Sequence, residues 1–289
     1  LSSLGLILLF ALLVGHLVKF IRIPEVTGYI LAGVAVGPSG LGWITHENLA
    51  ALQIFSDVAL GLILFSIGSI FELNHFLKTG SALVRITLAE SAAAALAVTV
   101  ALLLLDRPWQ VAFTLGTIAM ATAPASTLMV IRERNASGPL TETLTGVIGL
   151  NNLLCLTAFA LVAAAVELAQ ASGAGVLTTL YRSIYPLIWQ MVGSVALGYL
   201  VGLLLAVWAA RVLEEGEVLI LLSGCVLLCV GVAIALELST LVASLTVGAT
   251  LVNFSAHTRR VMRALASSGP PFYAIFFVIA GADLNLSLV

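Results

Sequence analysis

Apolar residues run along this chain in long blocks, broken by short stretches that carry charge, glycine or proline. Ten blocks result: 2–18, 24–44, 50–71, 83–105, 109–131, 140–166, 184–209, 217–236, 239–254 and 270–288. A helix needs about 20 apolar residues to cross the hydrocarbon core of a membrane. The pattern therefore predicts about ten transmembrane helices over residues 1–289, and an all-α polytopic membrane protein. The ninth block is short, and the fifth contains Pro124 among small polar residues.

The charges give the blocks a direction. Lys19, Arg22, Lys78, Arg85, Arg132, Arg134, Arg211, Arg259, Arg260 and Arg263 fall beside the connections that follow odd-numbered blocks, whereas even-numbered ones hold only Arg107 and Arg182. Basic residues concentrate on the cytoplasmic side, so the N-terminus is expected outside, in the plasma (inner) membrane. Composition agrees: 61% of the residues are apolar, 9% are charged, and the mean hydropathy is +1.17. A soluble domain carries roughly 25% charged residues, and barrel strands alternate with polar ones, so both classes are excluded. The net charge of −2 gives no reason to expect nucleic acid. Cys155, Cys225 and Cys229 lie inside apolar blocks at spacings that suit neither zinc nor disulfides, and read as small buried hydrophobes. Nothing in the sequence requires a cofactor. The chain begins at Leu1, inside an apolar block, and reads as a cropped domain.

The blocks also repeat. "PEVTGYILAGVAVG" (24–37) aligns with "STLVASLTVGATLV" (239–252) at an offset of 215, pairing Gly33 with Gly248. "LILFSIGSIFEL" (62–73) aligns with "AIFFVIAGADLNL" (274–286) at 212 or 213. Blocks 1–3 thus echo blocks 8–10, and the spacing makes the two copies enter the membrane from opposite sides, as inverted repeats do. With a unit of six spans, block 7 is a linker helix, and the second repeat stops after its third span, before spans 11–13.

Polar residues inside the blocks mark candidate chemistry. Pro124 lacks an amide hydrogen and breaks or kinks the fifth helix, and Thr122, Ser126 and Thr127 can serve the freed backbone groups. Unwound backbone survives at membrane depth only where it is buried in protein or lines a cavity, and half-helix ends suit ions. Asn151 and Asn152 sit side by side in the sixth block. Buried acids in membrane helices are functional candidates by default. Glu90 in block 4 is the first of these, and Asp57 in block 3, about 10 Å from the outer boundary, is the second. His16, the turn at Gly37–Gly42, and the acidic run Glu214, Glu215 and Glu217 read as interface packing, a span end and a helix start. Metalloprotease, Gly-x-Ser-x-Gly and paired-aspartate signatures are missing, so an embedded enzyme is not expected.

"IRIPEVTGYILAGVAVGPSGLG", "ATAPASTLMVIRERNASGPLTETLTGVIGLNN" and "PPFYAIFFVIAGADLNLS" together resemble the membrane domain of Kef-type monovalent cation:proton antiporters, of the sodium/hydrogen exchanger type, over essentially the whole chain. The resemblance implies an inverted-repeat antiporter fold of thirteen spans. It also implies a homodimer in which a core domain moves like an elevator against a dimerisation domain, exchanging Na⁺ or K⁺ for H⁺. Carried over, Thr122, Ala123 and Pro124 match the unwound crossover, Asn151 and Asn152 fall on an acidic pair, and Asp283 and Asn285 match a helix-capping position. The departure is at position 152, where the family's ion-binding carboxylate is an amide that cannot release a proton near neutral pH. Residues 270–289 also hold no Lys or Arg to pair with such an acid. Two functions therefore stand: cation/proton exchange, or a non-transporting homologue acting as a sensor or regulatory membrane subunit.

Overall fold

The computed structural model describes residues 2–170, 176–212 and 214–285, and among them every regular element is a helix. In chain order they are α1 (Ser2–Phe20), α2 (Glu25–Val36), α3 (His46–Gly68), α4 (Leu73–Leu104), α5 (Trp109–Ile118), α6 (Pro124–Glu133), α7 (Pro139–Gln170), α8 (Val176–Ala209), α9 (Glu215–Ala235), α10 (Thr240–Phe254) and α11 (Thr258–Ala282). Each apolar block becomes one helix except the fifth, which splits into α5 and α6. Among the described residues six helices are long and apolar enough to cross a membrane, seven if the bent α11 is counted, while α2 and α10 are shorter apolar helices. Leu9, Leu12, Leu13 and Leu17 stand exposed along α1, and Ile220, Leu227 and Leu228 along α9, as lipid-facing surfaces do.

Two blocks differ from their expected extents. The second was read to residue 44, but its helix stops at Val36, because Gly37 precedes Pro38 and takes an extended conformation; a residue before proline is disfavoured in the helical region. The chain then turns back, with Gly42 at φ +66° and the Ile44 amide donating to the Val36 carbonyl. The tenth was expected over 270–288. Its helix instead starts at Thr258, includes Pro270 and Pro271, and bends by 57° between Thr258–Ala266 and Gly269–Ala282. Two consecutive prolines remove two backbone donors, which is a standard cause of a sharp bend. Asp283 is the C-cap residue of α11, and residues 286–288 lie outside the described part.

The repeat is visible in how backbones approach one another. A methyl on Gly33 of α2 would sit 2.1 Å from the Val278 carbonyl oxygen and 2.8 Å from the Ala282 nitrogen of α11. A methyl on Gly248 of α10 would sit 2.0 Å from the Phe65 carbonyl oxygen and 2.7 Å from the Ser69 nitrogen. Returning the contact, Gly281 of α11 abuts the Ile30 carbonyl and Gly68 of α3 abuts the Leu245 carbonyl. Every residue of one crossing maps onto the other at the offset of 215 or 213 that the sequence displays. The α2–α11 crossing and the α10–α3 crossing are therefore copies, each closed by glycines that let main chains touch.

The hydrophobic core follows the same symmetry. One buried cluster joins α1, α2, α3 and α11 through residues such as Ile7, Ala32, Ile63 and Val278. The other joins α9, α10, α3 and α11 through Cys229, Val247, Phe65 and Val261. Exchanging α1 with α9, α2 with α10 and α3 with α11 turns one cluster into the other. The first also takes in Ala125 and Leu128 of α6, the second Val201 and Leu205 of α8. Neither includes α4, α5 or α7. Those three pack on one another, with Thr99 of α4 hydrogen-bonded to the Ala112 carbonyl of α5 beside Gly116, and α7 also packs on α8. The result is a two-fold scaffold with the α4, α5 and α7 group against it.

Candidate functional site: the broken helix and its amide bridge

The fifth block is interrupted at residues 119–123, and Pro124 opens α6 rather than lying inside the gap. Proline suits that first helical position, where its missing amide hydrogen has no intrahelical partner to lose. Ahead of it, Ala123 adopts φ −81° and ψ 100°, outside the helical region. The Ser126 and Thr127 hydroxyls both donate to the Ala123 carbonyl, at 3.3 and 3.1 Å, so these two side chains secure the start of α6. On the other side α5 ends with the Met120 and Ala121 amides closing tight turns on Thr117 and Ile118. The break thus faces a carbonyl end of one half-helix to an amide end of the next, with partial negative and positive charge respectively.

That leaves Thr122, whose amide is served from across the gap. Asn151, completely buried on α7, accepts from the Thr122 amide at 3.1 Å and from its hydroxyl at 3.2 Å. The other end of the same side chain donates to the Glu90 carboxylate at 2.9 Å and to the Ser91 hydroxyl at 2.8 Å, both on α4. Ser91 in turn lies 3.4 Å from Glu90, donating its hydroxyl hydrogen. An amide accepts at one end and donates at the other, whereas an ionised carboxylate only accepts. A carboxylate at 151 would meet the Glu90 carboxylate head-on. Asn152 plays a different part: its amide nitrogen donates to the Ile148 carbonyl of its own helix at 2.8 Å, and it is only half-buried.

The structure therefore brings together Thr122, Asn151 and Glu90 from the residues singled out above, and adds Ser91. Ala123 and Pro124 shape the break, and Ser126 and Thr127 cap α6 instead of facing Asn151. Asp57 sits half-buried at the middle of α3 and makes no hydrogen bond among the described residues. Ser91 escaped the sequence reading, because a serine in a run of alanines carries no signal beyond adjacency to Glu90. Glu90 itself is exposed. A cavity of about 390 Å³ lies elsewhere along α4 and α7, lined by Phe71, Leu83, Ile86, Glu142 and Gly146, without these residues.

Replacing Asn151 with leucine strands the Thr122 amide and is expected to cost about 2 kcal/mol, near the upper measured value for polar contacts between membrane helices. Asn152→Leu, which removes one bond within a helix, should cost well under half of that. Thermal unfolding in detergent checks the order, and equal losses would show that Asn151 does not bridge the break.

Comparisons with known proteins follow the same outline. The family model described as the transmembrane part of the sodium/hydrogen exchanger matches residues 5–289. The chain is 30% identical over 137 residues to the iron transporter MagA of Paramagnetospirillum magneticum, a match that spans 47% of this chain and 30% of that protein. The chain thus covers less than a third of this curated relative. Two structures of the sodium proton antiporter MjNhaP1 from Methanocaldococcus jannaschii share the fold at 19% identity, covering 99% of this chain. The structure at pH 8 has a TM-score of 0.71 with 71% of its chain covered, and the electron-microscopy structure has 0.74 with 70%.

Proposed function

This chain belongs to the sodium/hydrogen exchanger family, and from that premise we propose that it carries the membrane path for exchange of Na⁺ or K⁺ against H⁺, with Glu90 as the carboxylate for which the two ions compete. The observation that carries the reading is the Asn151 bridge, which holds the Glu90 carboxylate 2.9 Å from the amide that also binds the broken helix. Position 152 offers a carbonyl oxygen but no exchangeable proton. A carboxylate supplied from α4 restores competition between proton and cation beside the same crossover. In this reading Asn151 orients Glu90, the Thr122 hydroxyl and the α5 carbonyl end add neutral ligands, and Asn152 contributes its half-buried oxygen. The chain works as a homodimer in the plasma (inner) membrane with its N-terminus outside.

One carboxylate exchanging one proton for one monovalent cation moves no net charge, so transport is electroneutral. The test is cation-dependent pH change in vesicles holding the full-length protein, with and without a membrane potential. Na⁺, K⁺ and, because one relative is named an iron transporter, Fe²⁺ form the panel. The neutral Asn151–Asn152 pair favours a second reading, the non-transporting sensor or regulatory subunit. Absence of flux for every cation, with binding of the same ions intact, would select it.

A further inference from the structure

The cytoplasmic-side end of α6, read from sequence only as a cluster of topogenic charge, is tied to the scaffold by three consecutive side chains. Arg132 donates to the Tyr273 hydroxyl of α11 and, at 2.8 Å, to the Ser66 hydroxyl of α3, and its guanidinium lies 5.5 Å from the Tyr273 ring centroid. Glu133 accepts the Glu25 amide at the first residue of α2 at 2.8 Å. The Glu25 carboxylate is held in turn by the Tyr29 hydroxyl at 2.9 Å and by an ion pair with Lys19 of α1. Arg134 donates to the Arg22 carbonyl at 2.9 Å. Ser66 is completely buried and Tyr273 nearly so, so the Arg132 contacts are shielded from bulk water.

These bonds sit at the far end of the half-helix whose first residue, Pro124, directly follows the break. α6 is also the one part of the fifth block whose apolar residues, Ala125 and Leu128, enter a scaffold cluster. Any displacement of the break relative to the scaffold must therefore release Arg132 and Glu133 first. We propose that Arg132 and Glu133 are positioning residues that latch α6 to α2, α3 and α11, holding the crossover in one of two placements and setting the barrier to the other. Two hydroxyls and a ring face suit a planar guanidinium, which a lysine ammonium cannot engage all at once. The carboxylate of Glu133 completes the exposed amide end of α2, where negative charge is favoured. The inference rests on the exchange reading for its purpose, but not for its geometry.

The experiment uses full-length protein in liposomes, with Cys155, Cys225 and Cys229 replaced by alanine and Ala121→Cys as a reporter inside the break. A membrane-impermeant maleimide is applied from each side in turn. Arg132→Gln and the milder Tyr273→Phe, which keeps the ring, are expected to shift the ratio of labelling rates between the two sides in the same direction. The shift should be about tenfold for Arg132→Gln, the size expected for losing charge-assisted bonds from one of two states, with Arg132→Lys intermediate. An unchanged ratio in Arg132→Gln and Tyr273→Phe overturns the latch, as does altered cation flux with an unchanged ratio. A shifted ratio in a protein that carries no flux supports the latch and counts against the exchange reading alone.

Discussion

Glu90→Gln is expected to reduce proton-coupled cation flux by at least about tenfold and to flatten its dependence on pH, while leaving the fold intact. The glutamine carbonyl still accepts from Asn151 and Ser91, so the bridge to α4 persists, but the side chain can neither carry charge nor exchange a proton. A change confined to transport is the signature of that role. A loss of about 1.4 kcal/mol in the free energy that couples proton to cation corresponds to each factor of ten. Flux that keeps its size and pH dependence in Glu90→Gln would remove Glu90 from the mechanism, and Asp57→Asn would then be the next variant to measure. The reciprocal substitution, Asn152→Asp, is expected to add a second group whose titration responds to Na⁺ or K⁺. It should also lower thermal stability, since a charged side chain at mid-membrane costs about 2.5–3.5 kcal/mol on insertion scales. With two carboxylates present, transport should become sensitive to membrane potential, which the electroneutral exchange proposed for the native protein should not be.

The largest structural effect is expected at the paired glycine crossings. Gly248→Ala places a methyl 2.0 Å from the Phe65 carbonyl oxygen, and Gly33→Ala places one 2.1 Å from the Val278 carbonyl oxygen. In both cases the obstacle is main chain, which cannot swing aside as a side chain can. Overpacking a well-filled interior typically costs about 1–3 kcal/mol and occasionally more, and here two helices must separate. Each variant should lose at least about 3 kcal/mol, seen as poor recovery of folded protein and a large drop in thermal midpoint. Because the crossings are copies, the two losses should be alike. Gly224→Ala on α9, where an added methyl meets nothing within 4 Å, supplies the control; it should be neutral or gain about 0.5–1 kcal/mol from reduced backbone entropy. Tolerance of Gly248→Ala beside failure of Gly33→Ala would break the equivalence between the two halves.

Much of the fold was legible along the chain because hydropathy is additive and local. Ten apolar blocks mapped onto the helices without reference to any contact, and the break fell beside Pro124 because a missing amide hydrogen acts on its own backbone. The repeat was legible for a related reason: helices that cross main chain to main chain need glycine at the crossing, and Gly33 and Gly248 recur at the offset later seen in space. Helix extents were less legible. α2 stops early at a Gly-Pro step, with apolar Trp43 and Ile44 beyond the turn, and α11 starts at Thr258 in an arginine-bearing stretch that hydropathy leaves outside a span, then bends near two prolines.

What the sequence determined by itself is the class of the protein, the position of its broken helix, and the presence of two adjacent amides inside the sixth apolar block. Those features depend on residue type and neighbours along the chain. Which asparagine reaches the break was decided only in three dimensions. Asn151 and Asn152 are identical in chemistry, yet adjacent residues on a helix point about 100° apart, and the rotation of α7 is set by its packing against α4, α5 and α8. An apolar block carries no polar face from which that rotation could be read. The same limit hid Ser91 and the Arg132–Tyr273–Ser66 contacts, whose partners lie 141 and 66 residues from Arg132. Nothing local in the chain pairs an arginine after a broken helix with a tyrosine near the far terminus; the two-fold scaffold does, by placing α3 and α11 side by side beneath α6.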